Sequence, residues 1–159
     1  MIFRLANLRD VPRLANLIKD IIGSTPYYTN RAKREEIKKH NKIALRQYLR
    51  DKKYYVCLVA LDKKKLVGFV IGRNEAGVFW LDWVGVHRDL RRRKVAETLM
   101  KTIEYKVKKM GVHKIWCDTR DINKESIPLI KKLKYRKLGH FRNGWYKQNF
   151  LLWEKDLKN

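Results

Sequence analysis

The sequence predicts an α/β protein built on one mixed, mostly antiparallel sheet of about seven strands flanked by four helices, in the order βααβββαβαββ. Three observations lead there. Seven short segments carry period-two or continuous apolar patterns, four longer ones carry helical spacing, and the strands cluster ahead of a strand–helix–strand crossover that must supply a parallel pair. The 159 residues fit one ordinary domain, expected to run over 1–159 with no linker or repeat inside it.

Residues 2–5 read as a short strand, after which Asp10 caps a helix whose apolar positions Leu14, Leu17, Ile18 and Ile21 keep helical spacing up to Gly23. A loop with Pro26, Tyr27 and Tyr28 leads to a second helix over about 31–50, with Ile37, Ala44, Leu45 and Tyr48 on one side. Strands over 54–61, 66–72 and 78–86 follow as an antiparallel meander, separated by turn-rich residues at 62–65 and 74–77. At Ala96 the period becomes helical through Leu99, Met100, Ile103 and Val107, and Gly111 ends the helix. A strand over 114–119, a helix over 123–134 and strands over 136–141 and 150–157 complete the chain.

With 45% hydrophobic and 11% aromatic residues, the composition is that of a packed globule and not of a disordered tail. The first ten residues carry Arg4, Arg9 and Asp10 and no apolar stretch of signal-peptide type, so a cytoplasmic protein is expected. No apolar run approaches a membrane span, and no membrane association is expected. Cys57 and Cys117 lie far apart without Cys-x-x-Cys spacing, and Cys117, between Trp116 and Asp118, reads as a small packed residue. His40, His87, His113 and His140 show no ligand spacing, so no metal is expected. Monomer and homodimer both remain open.

Thirty-nine Lys and Arg against sixteen Asp and Glu leave a net charge of +23, which attracts polyanions non-specifically. Charge of this kind does not separate nucleic acid from a phosphorylated cofactor or an acidic substrate. A local motif does. In residues 80–100 an apolar strand runs into the basic turn Arg91, Arg92, Arg93, Lys94 and then into an amphipathic helix. The first helical turn leaves backbone N–H groups unpaired and holds partial positive charge, so main chain alone can grip a diphosphate there.

This stretch resembles the GNAT superfamily of N-acetyltransferases, whose signature runs from a strand ending in Val to Arg or Gln, two variable residues, Gly, one variable residue, and Gly or Ala. Val86, Arg91 and Ala96 match it, and Lys94 stands at its first Gly. The likeness extends over the chain: residues 81–87 resemble the family's fourth strand, 123–135 its coenzyme-side helix, and 145–155 its last hairpin. It implies acetyl-CoA as cosubstrate, held by Val84, Gly85, Val86, Arg91, Arg92, Arg93, Lys94, Val95, Ala96, Glu97 and Asn123, with amides near Val84 and Val86 orienting the pantetheine and polarising the thioester carbonyl.

The implied reaction is direct transfer of the acetyl group to a primary amine in a ternary complex, with a peptide N-terminus favoured over lysine or a small polyamine. Asp118 and Asp82 are the candidate bases, Asp118 lying five residues before Asn123, a spacing at which some relatives place theirs. Ile130 occupies the position where many relatives carry a proton-donating Tyr, and Lys134 replaces a further common Gly. Tyr146 is the candidate substitute acid, and Tyr27 and Tyr28 are candidates for lining the acceptor site. Two other readings compete. One is a basic nucleic-acid-binding module, given five Trp and eight Tyr that can stack on bases; the other is a degenerate family member that binds the coenzyme without turnover.

Overall fold

The computed structural model describes residues 1–157; residues 158 and 159 of the expected domain lie outside the described part. Strands β1 (Ile2–Leu5), β2 (Tyr55–Asp62), β3 (Lys65–Glu75), β4 (Val78–Val86), β5 (Lys114–Arg120), β6 (Arg136–Phe141) and β7 (Phe150–Asp156) form one sheet in the order β1-β2-β3-β4-β5-β7-β6. Every neighbouring pair is antiparallel except β4 and β5, which are joined by the expected crossover. The helices are α1 (Val11–Ser24), α2 (Asn30–Lys39), α3 (Lys42–Arg50), α4 (Val95–Lys108) and α5 (Ser126–Lys132).

Five α-helices therefore stand among the described residues where the sequence predicts four, because the segment over 31–50 is two helices. Asn41 breaks it: its side-chain oxygen accepts from the N–H groups of Ile43 at 2.9 Å and Ala44 at 3.0 Å. An Asn at an N-cap satisfies orphan donors that it would compete against inside a helix. Asp10 also departs from expectation, since its side chain makes no cap to α1. It is fully buried and instead binds Arg4 at 2.7 Å and Arg13 at 3.0 Å, with the N–H of Asn7 donating to it at 2.9 Å.

Each face of the sheet carries its own core. On one face α4 buries Leu99, Met100, Ile103 and Val107 against Leu58, Val70, Phe79, Ile115 and Trp153. On the other, α1 and α3 bury Leu14, Leu17, Ile18 and Leu45 against Cys57, Val59, Phe69 and Ile71. Each such side chain contributes roughly 1.5–3 kcal/mol by leaving water, so the two helical layers clamp the sheet from both sides. Cys117 lies in the α4-side core at 1% exposure, and burial pushes its thiol well up, so it is a packing residue as expected.

Helix α5 ends in a pair of bonds, Tyr135 N–H to the Ile130 carbonyl at 3.1 Å and Lys134 N–H to that of Lys131 at 2.9 Å. This is the Schellman arrangement, and it puts Lys134 at φ +65°, a position that favours glycine. Replacing Lys134 by Gly is therefore expected to stabilise the fold by about 1 kcal/mol, read as a raised urea midpoint with an unchanged slope. An unchanged or lowered midpoint counts against stored strain at that residue.

The active region is positioned by two irregularities in β4. Ile71 of β3 pairs with Trp83 while its neighbour Gly72 pairs with Leu81, so Asp82 is an extra, bulged residue. On the other side, β4 and β5 pair only from Val78↔Lys114 to Leu81↔Cys117. Beyond that register they part, and the rest of β4 keeps no strand on its β5 side. Asp82 and Asp118 are the first residues past the last pair, one on each wall of the split.

Candidate active site

The split opens into a cleft of about 1230 Å³ that runs from the start of α4 to the loop between α1 and α2 and the hairpin before β7. At the α4 end, residues 91–94 form a turn in which Arg92 and Lys94 take positive φ, +65° and +58°. Among the described residues, no acceptor stands in hydrogen-bond geometry to the N–H groups of residues 92–97; the first backbone bond at this end is Thr98 N–H to the Lys94 carbonyl at 2.9 Å. Consecutive free amides at a turn and a helix start make a concave anion site. The donor chemistry therefore fits a diphosphate.

Arg91, Arg92, Lys94, Val95, Ala96 and Glu97 line the cleft, and Arg93 does not. Lys94, at the family's glycine, adopts the left-handed conformation that glycine would reach without cost, and its amide is kept. Arg91 crosses to Glu125 at 3.1 Å, ahead of α5. Glu97 is held by Lys101 at 2.8 Å and Lys132 at 2.6 Å, which lower its carboxyl to about 2. Val84, Gly85 and Val86 line the adjoining wall, where alternate peptide groups of β4 face the gap left by β5. Gly85 has no room for a side chain: a Cβ there would lie 2.6 Å from the Phe69 ring. Asn123 lines the cleft while its side-chain oxygen accepts from the Ser126 N–H at 3.0 Å and so steadies the start of α5. Ile130 is buried at 5% exposure and offers no proton.

The acceptor end holds three carboxylates. Asp82 is ion-paired with Arg73, whose guanidinium also reaches Glu75 at 3.0 Å and lies over the Trp80 ring. Burial pushes the Asp82 carboxyl up to about 6 in spite of that pairing. Asp118 lines the cleft with no side-chain hydrogen-bond or ion-pair partner among the described residues. Burial pushes it too up to about 6; Arg120 opposes the rise, and the charges of Asp82 and Glu36 add to it. Of the two expected bases, one is committed to an ion pair and the other is free.

Glu36, on α2, is the residue that sequence reasoning missed. It accepts from the Tyr146 hydroxyl at 2.6 Å, from Lys39 at 3.1 Å and from the Trp83 indole at 3.4 Å. Burial would raise its carboxyl, but Tyr146 and Lys39 outweigh burial and hold it below the usual range. Its sequence signal was no more than a place in the helix that follows the loop of Tyr27 and Tyr28. Tyr146 thus donates its proton to Glu36 and ties the hairpin turn down onto α2. Gln148 adds a bond to the Tyr27 carbonyl at 2.8 Å, and Arg120 lies 3.6 Å over the Tyr28 ring. Tyr27 and Tyr28 line this end. Three cations, Lys39, Arg73 and Arg120, balance the three carboxylates, so the net charge of the chain is not carried into the acceptor end.

Residues 19–135 match the acetyltransferase (GNAT) family. In fold the chain is similar to the PaiA N-acetyltransferase of Thermoplasma acidophilum in complex with coenzyme A, with a TM-score of 0.84 and 16% identity over 98% of this chain and 99% of that one. It is similar also to the ribosomal-protein-alanine N-acetyltransferase of Brucella melitensis, at 0.82 and 20% over 98% and 99%. The ribosomal-protein-S18-alanine N-acetyltransferase of Escherichia coli gives 0.78 and 15% over 99% and 94%. No match is found among curated proteins. A family match that runs from α1 through the split strands to the end of α5 settles the lineage, and the chain belongs to the acetyltransferase (GNAT) family.

Proposed function

We propose that the protein transfers an acetyl group from acetyl-CoA to a free α-amino group, with Asp118 as base. The observation that carries this reading is one cleft holding both the free amides of residues 92–97 and an unpartnered carboxylate across the strand split. Acetyl-CoA supplies the activated acyl group as a thioester. The amides of 92–97 would hold its diphosphate, helped by Arg92 and Lys94, and the open edge of β4 at Val84–Val86 would pair with its pantetheine.

Asp118 takes the proton from the acceptor ammonium. A carboxyl titrating near 6 lies about 2 pH units below an α-amino group near 8, but more than 4 below a lysine near 10.4. The smaller gap favours a peptide N-terminus, and two proteins of similar fold are named as ribosomal-protein-alanine N-acetyltransferases, which supports a protein acceptor. Tyr146 serves as a positioning residue, its proton committed to Glu36. A thiol with a pKa of about 8.5 leaves tolerably without a dedicated acid, which fits the aliphatic residue at Ile130.

Titration calorimetry with acetyl-CoA, followed by thiol release in the presence of an amine panel, tests the proposal. Release is expected with peptides bearing free N-termini and not with N-blocked lysine peptides. Saturable coenzyme binding with no release on any amine points to a non-catalytic coenzyme binder, and release with the blocked peptides overturns the acceptor assignment. Tyr146→Phe is expected to raise the acceptor KM while lowering kcat by less than about tenfold, below the range of a lost acid; a larger fall in kcat makes Tyr146 the acid.

A further inference from the structure

The positive charge is unevenly spread. Residues 30–53 carry ten Lys and Arg against three acids. Helices α2 and α3 turn their apolar sides to α1 and the sheet, burying Ala32, Leu45 and Leu49. On the exposed side stand Arg34, Lys38, Lys42, Arg46 and Arg50, each four residues from the last and none with an acidic partner among the described residues. Like charges four apart within a helix oppose its folding, and nothing in the chain neutralises this row.

Within each helix the row steps by about 6 Å, so each member can meet a different phosphate of an extended chain. On the inner side of the same helices, where the cleft opens, Tyr48 stacks on Tyr55 at 4.3 Å and Tyr54 meets Tyr55 edge-on at 4.7 Å, a half-exposed aromatic cluster that lines the cleft. Cations in series at this spacing are what the backbone of single-stranded nucleic acid engages, and the aromatic faces in the cleft are there for bases that reach them. An anionic membrane would need an apolar side to enter it, and α2 and α3 spend theirs on the core; Ile43 alone projects outward. The inner sides of the same helices line the acceptor end through Glu36, Lys39 and Tyr48.

We infer that the outer face of α2 and α3 binds single-stranded nucleic acid, holding it beside the mouth through which the acceptor enters. None of the five row cations lines the cleft, so the inference is independent of acetyl transfer. Its test uses the full chain without coenzyme and a 12-nucleotide oligouridylate, followed by fluorescence anisotropy across a salt series. Two variants are compared, each losing five charges: Arg34, Lys38, Lys42, Arg46 and Arg50 to Gln, or the exposed Lys19, Lys63, Lys65, Lys108 and Lys137 to Gln.

The row variant is expected to reduce the slope of log affinity against log salt by about 3, at roughly 0.7 per lost phosphate contact, and the scattered variant to change it by less than half as much. Equal losses in the two variants, or none, would show that net charge acts without a site and would overturn the inference. Tighter binding of polyglutamate or of anionic vesicles than of the oligonucleotide would overturn it as well. Circular dichroism melts establish that both variants are folded.

Discussion

Asp118→Asn is expected to lower kcat by about 10²–10⁴ while leaving the coenzyme dissociation constant unchanged. The magnitude is that of removing a positioned base, and the selectivity follows from its place on the wall opposite the free amides. Wild-type turnover should rise with pH through about 6, where the Asp118 carboxyl loses its proton, and this limb should be missing in the variant. Stability moves the other way. A carboxyl whose folded pKa is raised from 3.8 to about 6 favours the fold while protonated, and that contribution is lost as pH climbs through the folded value. Asn, which has no charge to bury, should therefore stabilise the protein at pH 7.5 by on the order of 3 kcal/mol, with most of the difference gone near pH 4. A variant that loses turnover and stability together would mark Asp118 as structural. Asp82→Asn should behave differently: Arg73 keeps Glu75 as its ion-pair partner, and turnover should fall by less than about tenfold.

Ala96→Trp is expected to raise the dissociation constant of acetyl-CoA about 100-fold, equivalent to about 2.7 kcal/mol. Ala96 lies in the first turn of α4, half-buried and facing the cleft, among the amides that have no protein acceptor. An indole there fills the space in front of them without entering the core, so the melting temperature should hold. Arg92→Ala should weaken binding far less, because an exposed side-chain charge adds little to a grip made by main chain. Unchanged affinity in the Trp variant would place the diphosphate elsewhere and remove the basis for the proposed reaction.

Much of this site was legible in the chain as written. The run from Val86 through Arg91 to Ala96 specifies a strand, a basic turn and a helix start, and local geometry then leaves the amides free. Gly111 ended α4 as anticipated, with φ +84°. Other positions misled for physical reasons. Asn41 is a helix breaker only because its side chain finds the Ile43 and Ala44 amides, and in a charged stretch with a weak apolar stripe that signal is easily outweighed. Asp10 had the position of a cap, but two arginines held nearby by β1 and α1 competed for it more strongly.

Local pattern by itself determined the strands, the crossover and the anion-binding turn, since each depends on residues within a few positions of one another. Only the tertiary structure decided which carboxylate is free. Asp82 and Asp118 lie thirty-six positions apart in sequence and face one another across a split whose extent is set by where β4 and β5 stop pairing. Arg73 arrives from β3 to neutralise one of them, and Glu36 arrives from α2 to take the proton of Tyr146. Such assignments rest on burial and on which cation reaches which anion, and neither is encoded in spacing along the chain.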